Sequence, residues 1–213
     1  LRICTEALQQ GFAPQRLLYE DGRQTDPLIA DLMIACKKAG GRVLPFTRSL
    51  LVKVSNKDNP QTVIGAYQQF STNLSEIKTA DGRCWVALDR IRDPGNLGTI
   101  IRTIDAVAAD GVILIDDCTD PFSVESVRAS MGAIFTLKVS HCTSEEFITF
   151  KREFKGSVIG TALQSSVDYR TADWRAPCII LMGNEQAGLP TKLRQTCDQI
   201  IAMPMQGRSD SLN

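Results

Sequence analysis

An excess of charge of either sign is missing from this chain of 213 residues: 24 Lys and Arg stand against 24 Asp and Glu, and the sequence pI is about 6.8. No global basic field draws a polyanion, so nonspecific coating of nucleic acid is disfavoured and only a local basic site is left open. Histidine is reduced to His141. The seven cysteines (Cys4, Cys36, Cys84, Cys118, Cys142, Cys178 and Cys197) are odd in number, scattered and without a Cys-x-x-Cys pair. That pattern supports neither a zinc site nor a disulfide framework, and the expectation is reduced thiols and no metal. No apolar run approaches the roughly 18 residues that span a bilayer, and Leu1 to Glu6 lack the layout of a signal peptide. A soluble, cytoplasmic protein without a membrane partner is expected.

Two nucleotide fingerprints are missing as well. Gly183 to Gly188 has the Gly-x-x-x-x-Gly spacing of a phosphate loop, but Leu189-Pro190 stands where Lys and Ser or Thr would hold phosphate and magnesium. No Gly-x-Gly-x-x-Gly opens a helix after a first strand, so a nicotinamide enzyme and a Rossmann-type methyltransferase have no support.

What is present is an alternation of strands and helices. A helix tail over Ile3 to Gln10 leads to a strand at Arg16 to Tyr19, a helix at Asp31 to Ala39 and a strand at Val43 to Phe46. A short helix over Ser49 to Val54, a breaker-rich turn at Lys57 to Gln61 and a strand at Val63 to Tyr67 complete a small α/β domain, residues 1 to 70. Polar Ser71 to Arg83 reads as a linker. The second domain, residues 84 to 213, has strands at Trp85 to Leu88, Val112 to Ile115, Ala133 to Val139, Val158 to Ala162, Cys178 to Met182 and Gln199 to Met203. Helices are expected at Leu97 to Ala108, Val124 to Ser130, Thr143 to Phe154 and Thr191 to Thr196. Such alternation predicts an α/β domain with a mainly parallel sheet.

The stretch from Leu88 to Asp116 organises this domain as a βαβ unit. Pro94 lacks an N–H and Gly95 favours turns, so the strand must end there, with Asn96 placed to cap a helix from Leu97. Leu97, Ile100, Ile101 and Ile104 recur at helical spacing, and Gly111 is expected to close the helix. Arg102 falls on another face. A solvated arginine is the plain reading there, against which stands its position two turns beyond an Asn-containing loop.

Asn96 to Ala106, as N-L-G-T-I-I-R-T-I-D-A, resembles the first motif of the SpoU (TrmH-like) branch of the SPOUT RNA methyltransferases. Ile180 to Leu189, as I-L-M-G-N-E-Q-A-G-L, resembles the second, and Met203 to Asn213, as M-P-M-Q-G-R-S-D-S-L-N, the third, with Met203 where Ile is more usual. Arg128 to Ala133 resembles a further signature, and residues 1 to 70 are similar to the substrate-binding domain that often precedes the catalytic one. The chain opens inside a helix and ends directly after the third motif, so the natural protein is expected to be longer.

The resemblance implies an α/β catalytic domain with a C-terminal trefoil knot, an exception to unthreaded connections. It also implies S-adenosylmethionine as cofactor, RNA (ribosomal or transfer) as substrate, a ribose 2′-hydroxyl as acceptor, and a homodimer. Gly183, Met203 and Leu212 match the positions that hold the cofactor. Arg102 matches the arginine that crosses from the partner subunit to orient ribose or phosphate, and Asn96, Glu185, Ser211 and Asn213 match the remaining polar positions. Arg128 is expected to face RNA phosphate, with a salt-bridged surface arginine as the plain alternative. The second functional reading is a noncatalytic RNA-binding relative that keeps the knotted fold.

Overall fold

The computed structural model describes residues 1–77, 84–163 and 167–204, and the chain divides into two compact units, 1–69 and 70–213. The first unit runs α1 (Arg2–Gln9), β1 (Arg16–Glu20), α2 (Pro27–Lys38), β2 (Arg42–Phe46), α3 (Arg48–Ser55) and β3 (Val63–Ala66). β1 is central, parallel to β2 and antiparallel to β3. Leu17, Tyr19 and Val63 on the sheet close a core with Ile29, Leu32 and Cys36 of α2 and Cys4 of α1. α2 starts a turn earlier than its apolar periodicity indicates, because Asp26 accepts the N–H of Leu28 and Pro27 fits the first helical position, where no donor is needed.

The second unit begins at Phe70, the last residue assigned to the first domain from sequence, and takes in the start of the expected linker. Phe70 packs edge-on against Phe122 at 5.1 Å, the N–H of Thr72 donates to Val139, and Ile77 is buried in the core. The apolar residues spaced through that polar stretch are what fasten it.

β4 (Cys84–Asp89), α4 (Pro94–Ala106), β5 (Gly111–Ile115), α5 (Val124–Ala129), β6 (Lys138–Cys142), α6 (Ser144–Glu153), β7 (Ser157–Thr161), β8 (Cys178–Met182), α7 (Thr191–Arg194) and β9 (Gln199–Ile201) follow. The six strands pair in the order β6-β5-β4-β8-β7-β9, every pairing parallel. One face carries Trp85, Ala87, Ile113, Ile115, Ile179 and Leu181 into a cluster with Phe147 and Phe154, at and just past α6, and Leu193 of α7. The alternate set, Leu88, Val112 and Leu114, faces the other way and is equally buried. Helices on both faces explain why these strands read as unbroken apolar runs.

Three local expectations are corrected. Asp93, not Asn96, caps α4: Asp93 sits in extended backbone before Pro94, and its carboxylate accepts the N–H of Asn96 at 2.6 Å. Gly111 does not close α4 but begins β5; the helix ends at Ala106, and Ala108 takes the left-handed conformation, φ 53°. Ala133–Phe135 is a 3-10 turn and not part of a strand, which starts only at Lys138. A three-residue apolar run carries no periodicity that separates the two.

Candidate active site

β4 and β8 are neighbours whose onward connections leave in opposite directions, to β5 on one side and past β7 to β9 on the other. In open parallel sheets the carboxyl ends of such strands frame a crevice that takes ligands. β4 ends in Asp89, fully buried, whose carboxylate is gripped by Arg90 through Nε at 3.1 and 3.2 Å and Nη2 at 2.9 Å. That grip holds the Arg90 guanidinium above its usual pKa and accompanies a left-handed backbone at Arg90, φ 49°. A buried carboxylate without this partner would cost several kcal/mol of desolvation.

β8 ends in the loop Gly183 to Pro190, which Asn184 closes. Its Oδ1 accepts the N–H groups of Gln186 and Ala187 at 3.0 Å each, and its carbonyl accepts that of Gly188 at 2.9 Å. Its Nδ2 donates to the carbonyl of Arg90 at 2.9 Å, so one amide side chain shapes the β8 loop and ties it to the β4 loop. Gly183 is required by the same closure: a Cβ there would stand 2.3 Å from the carbonyl carbon of Gly188 and 2.4 Å from the nitrogen of Leu189. The glycine therefore lets the loop return on itself, a closer constraint than the approach to a cofactor expected from sequence.

The third end, β9, is bound to the connection after β7. Ala162 donates to Ile201 at 2.9 Å, Ala202 to Val167 at 2.8 Å, and Tyr169 to Ala202 at 3.0 Å. Leu163 just beyond β7, Met182 at the end of β8 and Met203 just beyond β9 are 61%, 37% and 50% exposed. Three unpacked apolar side chains at adjoining strand ends fit an apolar ring such as adenine, and the closed Gly183 loop beside them offers backbone groups for its polar edge. The residues present thus fit S-adenosylmethionine. Ser211, Leu212 and Asn213 lie outside the described residues.

On the β5 side, Asp116 also takes a left-handed conformation, φ 56°, and accepts both the hydroxyl and, at 2.8 Å, the N–H of Ser144 at the start of α6. Burial alone would raise the Asp116 pKa; the two Ser144 bonds, with the Lys192 and Arg90 charges, hold it below the usual carboxylate value.

α4 carries the first motif down from this edge. Leu97, Ile101 and Ile104 are buried, each contributing about 1.5 to 3 kcal/mol. Gly98 lets α5 cross closely, since a Cβ there would lie 2.4 Å from the carbonyl oxygen of Ser126, and the Ser126 hydroxyl donates to the carbonyl of Pro94 at 3.0 Å. Arg102 points outward, exposed and with no partner among the described residues. Eight residues beyond Pro94, it lies ~12 Å along the helix from the edge where α4 begins. Arg128, in the last turn of α5, is likewise exposed and unpartnered among the described residues. Asn96, relieved of capping, has a half-buried side chain with no partner there either. Glu185 is exposed on the β8 loop, its carboxylate 3.4 Å from the Asn184 amide. Glu185 thus sits on one of the two tied loops and Asn96 in the first turn of α4 just after the other, while Arg102 and Arg128 stand apart on the helical layer.

Among the described residues, no group of His, Cys, Asp or Glu is arranged to hold a metal ion, and no helix is long and apolar enough to cross a membrane.

Residues 83–213 match the model of the SpoU rRNA Methylase family. The chain belongs to the SpoU rRNA methylase family. It is 42% identical to an S-adenosylmethionine-bound rRNA methyltransferase from Sinorhizobium meliloti, with a TM-score of 0.92 over 100% of this chain and 79% of that one. The SpoU methyltransferase AviRb of Streptomyces viridochromogenes, solved with the same cofactor, is 27% identical with a TM-score of 0.85, over 100% of this chain and 82% of that one. A 23S rRNA (guanosine-2′-O-)-methyltransferase from Ralstonia nicotianae is 30% identical over 92% of this chain and 81% of its own length.

Within the SpoU framework, the structure adds residues that sequence reading passed over. Asn184 lies inside the second motif between Gly183 and Glu185, and its type alone does not mark it as the residue that closes the loop. Asp89 and Arg90 precede the first motif and read as an ordinary strand end. A charged pair directly after an apolar strand was the available signal.

Proposed function

We propose that this chain transfers the methyl group of S-adenosylmethionine to a ribose 2′-hydroxyl of RNA, ribosomal RNA foremost. The observation that carries the reading is the edge formed by the adjoining strands β8, β7 and β9, where the closed Gly183 loop and exposed Met182, Met203 and Leu163 lie at the strand ends. It belongs to a SpoU chain that aligns over its own full length with an S-adenosylmethionine-bound rRNA methyltransferase. Relatives named as 2′-O-methyltransferases support turnover over a noncatalytic RNA binder.

The cofactor supplies an activated methyl group on a sulfonium. Gly183 and Met203, with Leu212, hold it at the strand ends. Positioning of the acceptor contributes up to ~7 to 11 kcal/mol of the acceleration. Arg102 orients the ribose and stabilises negative charge growing on its 2′-oxygen; a guanidinium with a pKa above about 12 is an electrostatic activator before it is a base. Glu185 braces the β8 loop, Asn96 steadies the β4 loop, Ser211 and Asn213 approach cofactor or ribose, and Arg128 grips phosphate. The distance of Arg102 from its own edge supports a homodimer in which each chain lends the arginine to its partner. In this reading the segment after β9 completes a trefoil knot, residues 1 to 70 select the RNA, residues 71 to 83 join the two domains, and the work is cytoplasmic, where ribosomal RNA is found.

Incubation of the protein with methyl-labelled S-adenosylmethionine and unmodified ribosomal or transfer RNA, followed by alkaline hydrolysis, tests this. A 2′-O-methyl group blocks cleavage at its own nucleotide, so the label should appear in alkali-resistant dinucleotides. Label in mononucleotides would make the chain a base methyltransferase, and no label would return it to the RNA binders.

A further inference from the structure

Cys84 and Cys178 open the two central strands of the catalytic sheet and are directly paired in the β4–β8 register. Neighbouring strands lie roughly 4.7 to 4.9 Å apart, inside the 4.4 to 6.8 Å range of Cα separations that disulfides span. Their successors Trp85 and Ile179 both enter the cluster with Phe147, so alternation turns both cysteines to the opposite face. Both thiols are free, Cys178 buried and Cys84 partly exposed.

We propose that Cys84 and Cys178 are an oxidation site: a thiol pair that closes a disulfide across β4 and β8 when the protein meets a peroxide. The two sulfurs already interact. A hydrogen bond from Cys84 lowers the Cys178 pKa and raises that of Cys84 itself; in this scheme Cys178 is the nucleophile and the partly exposed Cys84 the resolving thiol. Burial instead pushes Cys142 and Cys197 up to about 12, and raises Cys36 and Cys118. The Cys178 thiolate attacks one peroxide oxygen; the O–O bond breaks, and the departing hydroxide takes a proton to leave as water. Cys84 then attacks the sulfenic sulfur, the S–O bond breaks, and the leaving hydroxyl takes the Cys84 proton as a second water. Two thiols and one hydrogen peroxide thus give one disulfide and two waters, the sulfurs losing the two electrons that the peroxide gains. The link closes a loop holding β5, β6 and β7, and it forms at the strand starts, the opposite edge from the Asn184–Arg90 tie.

The test exposes the full chain to limiting hydrogen peroxide at neutral pH, alkylates free thiols, and maps linked peptides by mass spectrometry without reduction, with circular dichroism confirming the fold. The 84–178 pair should exceed every other linked pair by about an order of magnitude, since thiols with a pKa near 12 are barely ionised at neutral pH. Melting should move up by several degrees, reversed by dithiothreitol, because a long closed loop restricts the unfolded chain. In Cys84→Ser, which leaves buried Cys178 in place, dimedone should capture Cys178 as its sulfenic acid. Recovery of Cys84 and Cys178 as free thiols from folded, peroxide-treated protein, or preferential linkage of either to another cysteine, would overturn the proposal.

Discussion

The side chain of Asn184 donates to the main-chain carbonyl of Arg90 at 2.9 Å, joining the loops after the two central strands. Asn184→Ala removes this bond and leaves the N–H groups of Gln186 and Ala187 without their acceptor. Net losses of about 1 kcal/mol per hydrogen bond translate into a roughly tenfold or greater weakening of S-adenosylmethionine binding, read by calorimetry. Unchanged affinity in folded protein would remove the tie from the account of the cofactor site.

Gly183 is expected to tolerate no side chain. The Cβ of Gly183→Ala meets loop backbone at 2.3 Å, so the loop must open rather than a side chain step aside. Overpacking of this kind costs typically ~1 to 3 kcal/mol. Urea unfolding should record that loss, and cofactor titration should show binding weakened further than in Asn184→Ala. Wild-type affinity would contradict the closed-loop role.

Asp116 gives a dependence on pH. Its pKa in the folded protein lies below 3.8, so the stability it contributes is present above that ordinary value and is lost as pH falls through the folded one. Asn keeps the shape and tolerates a left-handed backbone. Asp116→Asn should therefore unfold more readily than wild type at neutral pH, and the gap should close as pH falls below 3.8. A gap that stays constant in urea titrations across this range would mean that the Ser144 bonds do not favour the charged form.

Arg102→Ala should spare the fold and abolish most of the turnover. The side chain is exposed, so the expected stability change is within about 0.5 kcal/mol, whereas loss of a preorganised group at a developing oxyanion slows reaction ~100- to 1,000-fold. Arg102→Lys keeps the charge without the planar fork and should remain impaired. If Arg102 acts across a dimer, mixed dimers of Arg102→Ala with Gly183→Ala chains should recover part of the activity in one of their two sites. Sedimentation of the complete protein as a monomer at micromolar concentration would contradict this arrangement.

Much of the fold was legible because chain-breaking residues sit where the elements end. Pro94 and Gly95 open α4 after β4, Gly183 and Pro190 bracket the β8 loop, and the buried parallel strands are nearly continuous apolar runs. The errors have local causes. Asp93 and Asn96 are both good capping residues, and only the extended backbone before Pro94 decides for Asp93. Ala133–Phe135 is too short for its pattern to distinguish a turn from a strand. Phe70 and Ile77 disappeared among polar neighbours, yet they fasten their segment to the core. The motifs located the loops of the site, but not the bond that joins them: Asn184 and Arg90 are 94 residues apart, and nothing periodic connects them. The pairing of Cys84 with Cys178 is equally a property of strand order.

The most direct test is made in cells. Ribose methylation is mapped by mass spectrometry in ribosomal and transfer RNA from cells lacking the gene and from the same cells carrying wild-type or Arg102→Ala protein at equal abundance. The account predicts a ribose 2′-O-methyl group that is absent without the gene, returns with wild type and stays absent with Arg102→Ala. An unchanged ribose methylation pattern in cells lacking the gene would contradict it.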